Sequence, residues 1–264
     1  ALNLLGDLYN IIRFRHLLPS WMLPLNIFCL VICAVARVAW PAGAGGVAVV
    51  ILLAYLVAIR ARTRGTSAAP RIPSPATKLL IAANACTFGL QIYRGAVDDP
   101  VAMVLLGAVY SPLIEFGEWW RMISAQFLHW GFAHLFLNML GLWFLGRTVE
   151  LLLGSWRFIA AYLVCGAAGM TIAWALATYG PAPRVIVLLG ASASVLGLVG
   201  LHAAIALKAF RYTGSVAAKA QLSAMTQIIV MQVIFDWMVP EVSSTAHLGG
   251  ALVGFLIGML CVRH

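Results

Sequence analysis

The stretch VIVLLGASASVLGLVGLHAAIAL, residues 185–207, decides how the rest of the chain is read. It is apolar enough to lie in a membrane, yet two serines, Ser192 and Ser194, sit near its head. Hydrocarbon offers a hydroxyl no partner, so a hydroxyl there either packs a helix or does chemistry. On a helix of 3.6 residues per turn the two serines point about 200° apart, so only one can face a given neighbour.

The whole chain shares this character. Of its 264 residues, 63% are hydrophobic and only 9% charged, with mean hydropathy +0.97. A soluble domain carries about 25% charged residues, so the composition predicts an all-α, polytopic membrane protein. The spans must be helices, because a lone strand in lipid leaves its backbone groups unpaired. Apolar runs predict spans at about 21–38, 44–60, 77–93, 127–146, 157–178, 190–207, 220–237 and 246–262. The segment RARTRGTSAAPRIPSPATK, residues 60–78, is basic, rich in Ser and Pro and free of acids, and reads as a linker. It separates residues 1–76, an N-terminal extension with a helical hairpin at about 21–60, from a six-helix core over 77–264. The chain begins Ala-Leu-Asn rather than with Met, which predicts an upstream segment.

A net charge of +9 would suggest nucleic acid in a soluble protein. Here it predicts basic loops facing the cytoplasm, and no nucleic-acid partner is expected. With the linker placed inside, segments 60–78, 147–157, 208–219 and 263–264 carry eleven Lys/Arg, and Glu150 is their one acid. The opposite loops of the core carry only Arg94, Arg121 and Arg184. Arg13 and Arg15 place the N-terminus inside as well. This orientation starts the Ser192 helix and the His247 helix at the same outer face, so residues 55 apart reach one membrane depth. The five cysteines, Cys29, Cys33, Cys86, Cys165 and Cys261, all fall in apolar runs without metal-ligand spacing and read as small packing residues.

In SSTAHLGGALVGFLIGML, residues 243–260, Gly250, Gly254 and Gly258 recur every fourth residue and form a smooth stripe. Such a stripe lets a second helix approach backbone to backbone. The Ser192 helix has its own small residues at Gly190, Ala193, Gly197 and Gly200. If the stripes meet, Ser192 and His247 come within hydrogen-bond reach; otherwise both are packing devices. In WWRMISAQFLHWGFAHLFLNMLGLWFLGR, residues 119–147, His134 and Asn138 share one helical face. Two inward donors beside a serine suit the oxyanion of acyl transfer, although interhelical glue also accounts for Asn138. His129 is rotated off that face and reads as an interfacial residue near Trp130. His202 lies about 15 Å deeper than Ser192, too deep for the same site.

The motifs WWRMISAQFLHWGFAHLFLNML, GASAS and AHLGGALVG resemble those of the rhomboid intramembrane serine proteases, in the same order, over residues 77–264. The resemblance implies a Ser–His dyad with Ser192 as nucleophile and His247 as general base. It implies His134 and Asn138 as the oxyanion-stabilising pair. Trp120 and Arg121 match a Trp-Arg element of the long first loop that acts as structural support, while Gly190, Gly250 and Gly254 support the turn and helix contact. The substrates it implies are transmembrane segments of other proteins, cut in the lipid bilayer through an acyl-enzyme, with no cofactor or metal. The expected location is a bacterial plasma membrane, with the site opening to the outer face.

Two positions depart from the pattern. Ala193 follows the serine where the family usually has Gly, and Leu196 stands where it often has an aromatic beneath the histidine. Asp236 and Glu241 precede His247 and read as solvated loop charges, so a dyad rather than a triad is expected. The alternative is an inactive rhomboid-like pseudoprotease that binds membrane clients, which Ala193 alone favours. A transporter would show buried carboxylates or repeated halves, and a zinc protease an HExxH helix. The spans hold almost no carboxylates and show no repeat, and no HExxH is present.

Overall fold

A computed structural model describes residues 73–238 and 243–261. The expected hairpin at 21–60 lies outside them. Six long helices form the core: α1 (Pro75–Tyr93), α2 (Gly131–Leu153), α3 (Ser155–Tyr179), α4 (Ser192–Thr213), α5 (Val216–Met238) and α6 (Ser244–Cys261). Helices α2, α3, α4 and all but the last residue of α5 are long and apolar enough to cross a membrane, and Ser244–Leu260 of α6 is a shorter apolar helix. These match the expected core spans to within a few residues, with two exceptions: α2 starts later and runs on through a π-type turn at Leu142–Gly146 to Leu153, and α4 continues past 207 to Thr213.

Helix α1 opens with Pro75, whose missing N–H costs nothing in a first turn. The next donors are met by Glu150 near the end of α2. Its carboxylate accepts from Ala76 N at 2.9 Å, Thr77 N at 2.8 Å and Thr77 Oγ1 at 2.8 Å. Ser155 Oγ, opening α3, adds a fourth bond to Glu150 at 2.6 Å. One buried acid thus joins three helix ends, which explains a carboxylate among otherwise basic segments.

Helix α4 is the centre of the bundle and lies between α3, α5 and α6. Its contact with α6 is a glycine groove. A Cβ on Gly250 would collide with the carbonyl of Ala193, one on Gly254 with that of Gly197, and one on Gly200 with that of Ala251. With no side chains between them, the two backbones touch, which is how small residues bind helices where lipid supplies no hydrophobic drive.

The first loop, between α1 and α2, is built of short turns rather than a span. Arg121 anchors it from within: Nε donates to Glu118 at 2.7 Å and Nη1 to the carbonyls of Val104 and Ala108. Its guanidinium sits 4.6 Å from the Trp120 ring, which is half exposed. Trp119 meets Trp174 of α3 edge-on at 5.1 Å. The loop also supplies β1 (Val109–Tyr110), paired antiparallel with β2 (Val187–Leu188), Val109 opposite Leu188. That two-residue ladder holds the segment leading into Ser192.

Candidate active site

Ser192 is the first residue of α4 and His247 the fourth of α6. The glycine groove draws these helix starts together until His247 Nε2 lies 2.7 Å from Ser192 Oγ. His247 is buried and Ser192 partly buried. Ser194, two residues on, is fully buried on the other side of α4 and donates to Gln126 Oε1 at 2.9 Å. The second serine is therefore occupied in packing.

The approach to Ser192 depends on Gly190, whose φ of +121° is a region that side-chain-bearing residues avoid. A Cβ there would also lie 2.7 Å from His134 Cε1 and 2.9 Å from its Nε2. The imidazole of His134 therefore rests directly against the turn before the serine. Its Nδ1 accepts from Trp130 N at 3.3 Å, which places the proton of the neutral ring on Nε2, facing the turn. Asn138 is buried and spends one amide hydrogen on the carbonyl of His134 at 2.9 Å, bracing that helix turn. Its other amide hydrogen stays available.

Two residues take places the sequence does not suggest. His129 is fully buried rather than interfacial. Its ring stands 5.1 Å from that of His134, and its Nε2 accepts from Ala191 N at 3.4 Å. It thus braces the turn before Ser192, with Gly190 N donating to Ala125 O at 2.8 Å beside it. The expectation that Asp236 is a solvated loop charge is overturned. It lies within α5, is buried, and both carboxylate oxygens stand 2.9 Å from His247 Nδ1. Gln232, one turn earlier, donates to Asp236 Oδ1 at 2.7 Å. The signal was available, since positions 232 and 236 share a helical face, but their common orientation toward α6 depends on how α5 is rotated. Glu241 lies outside the described residues.

Ala193 is buried, and its methyl packs near Gly169 of α3, where a further Cβ would come within 3.1 Å of it. The missing side chain on α3 makes room for the extra carbon on α4. His202 is buried within α4, away from this cluster.

A helical membrane protein with an alcohol, an imidazole and a donor-lined turn at one end of its bundle is equipped for acyl transfer. The chain belongs to the rhomboid family: the family's rhomboid domain matches residues 116–264, more than half of its length. Among its relatives, rhomboid protease GluP of Bacillus subtilis is 34% identical over 185 residues, 68% of this chain and 33% of that protein. RHOMBOID-like protein 5 of Arabidopsis thaliana is 35% identical over 156 residues, 59% of this chain and 48% of that protein. Rhomboid-like protease 1 of Toxoplasma gondii is 31% identical over 165 residues, 61% of this chain and 54% of that protein. The match thus spans a third to about half of the length of these relatives.

Proposed function

We propose that the protein is an intramembrane serine protease that cleaves transmembrane segments of other membrane proteins. The observation that carries this reading is the 2.7 Å contact between Ser192 Oγ and His247 Nε2. A serine hydroxyl is a weak nucleophile until a base takes its proton, and a neutral imidazole is suited to that near neutral pH. Ser192 Oγ bonds to the carbonyl carbon of the scissile peptide while its proton passes to His247 Nε2. The resulting oxyanion sits beside the turn at Gly190, where His134 Nε2–H and the remaining Asn138 amide hydrogen serve as donors. Collapse breaks the C–N bond, the leaving amine takes the proton from His247, and water then hydrolyses the acyl-enzyme by the same route in reverse.

An intact helix hides its carbonyls in backbone hydrogen bonds, so the substrate must unwind locally. Small or helix-breaking residues at the cut site are the expected preference. On this reading the basic segments and the N-terminus face the cytoplasm, as the positive-inside bias favours, and the site opens to the outer face of a bacterial plasma membrane.

The test is labelling of detergent-solubilised protein by a serine-directed fluorophosphonate. Wild type and Ser194→Ala should label; Ser192→Ala and His247→Ala should not. Labelling that persists in Ser192→Ala overturns the assignment. A wild type that stays unlabelled while binding membrane clients indicates the pseudoprotease instead.

A further inference from the structure

We propose that Asp236 is the positioning acid of this site, making the dyad a hydrogen-bonded chain Asp236–His247–Ser192. This rests on the protease reading and extends it. The first support is geometric. Both Asp236 oxygens lie 2.9 Å from His247 Nδ1, and the same ring's Nε2 lies 2.7 Å from Ser192 Oγ. The acid and the alcohol therefore engage opposite edges of one imidazole.

The second support is the tautomer this imposes. An unprotonated Nδ1 would turn its lone pair toward two carboxylate oxygens in a buried setting, which is repulsive and leaves the acid short of donors. A proton on Nδ1 satisfies Asp236 and leaves the Nε2 lone pair to accept the Ser192 O–H. When Nε2 takes that proton, the carboxylate faces an imidazolium and stabilises it; Asp236 itself takes no proton. Gln232 completes the arrangement by donating to Asp236 Oδ1 at 2.7 Å. It also stands 3.3 Å from His247 Nδ1, but its hydrogen has the shorter path to the acid.

The third support comes from position 196. Leu196, one turn after Ser192 and buried, offers no aromatic face for the imidazole. With no aromatic at 196, the ring's orientation falls to hydrogen bonds, and at Nδ1, opposite Ser192, these come from α5. The helix after the nucleophile helix thus acquires a role in setting the base.

The experiment compares fluorophosphonate labelling rates and kcat and KM for a cleaved transmembrane substrate in wild type, Asp236→Asn and Asp236→Glu. Asparagine keeps the shape but can donate to Nδ1, favouring the wrong tautomer, and should slow labelling and kcat by about 10²- to 10⁴-fold with KM little changed. Glutamate keeps the charge and should recover at least tenfold over asparagine, at a thermal midpoint close to that of the asparagine variant. Independently of any variant, nitrogen NMR of ¹⁵N-histidine wild type should show His247 protonated on Nδ1. An asparagine variant within threefold of wild type, or glutamate no faster than asparagine, overturns the proposal. So does an Nε2-protonated His247 in the wild type. If wild type fails to label, the protease reading falls and this inference with it; if wild type labels and Ser192→Ala does not, only the role of Asp236 is at stake.

Discussion

Gly254 of α6 faces the carbonyl oxygen of Gly197 of α4 so closely that even a methyl group would collide with it. The obstacle is backbone, which cannot rotate aside like a side chain. Gly254→Ala should therefore push the helices apart, at about 1–3 kcal/mol for an overpacked interface. It should also lengthen the Ser192–His247 contact. The expected result is a lower thermal midpoint together with slower fluorophosphonate labelling; unchanged labelling would show that the groove does not set the site.

His134 lies against Gly190 with Nε2–H toward the turn. His134→Ala should lower kcat by about 10²- to 10³-fold, the range for loss of one oxyanion donor. KM should move little, because the bond forms only as charge develops. Steady-state cleavage of a transmembrane substrate separates the two constants.

At Gly190 two effects act together, a φ of +121° and the proximity of the His134 ring. Gly190→Ala should abolish labelling while leaving the helical circular dichroism intact, since the change falls on a turn outside the helices. Labelling at the wild-type rate would mean that His134 can move away at no cost.

Glu150 accepts four hydrogen bonds from α1 and α3. Glu150→Ala leaves buried donors at a helix start, and bonds to a charged group contribute about 1.5–3 kcal/mol each. A loss of at least about 3 kcal/mol is expected in a denaturant titration. Its distance from the reacting groups predicts that the folded fraction keeps its labelling rate.

His129 sits just before α2, where burial and then the neighbouring His134 push its pKa down to about 3. An unfolded histidine titrates near 6.5, so at lower pH the unfolded chain binds a proton that the folded one refuses. The stability held above pH 6.5 should thus fall toward pH 3, by about 1.4 kcal/mol per unit for this one group. Thermal midpoints measured across that window should fall less steeply in His129→Gln; parallel slopes would contradict the assignment.

Much of this molecule was legible in one dimension. The run lengths marked the six core helices because a bilayer of fixed thickness demands about 20 apolar residues per span. Counting those spans brought Ser192 and His247 to one face. The glycine spacing in α4 and α6 announced a close contact because only residues without side chains leave a groove. What lay beyond reach were the rotations of helices about their own axes and the packing of irregular loops. Asp236 looks like a loop charge until α5 turns it onto His247, and His129 looks interfacial until the loop before α2 folds inward beneath Ala191. Periodicity along a chain ranks the faces of a helix, but which polar side chain meets which across a gap is decided by contacts among all its neighbours at once.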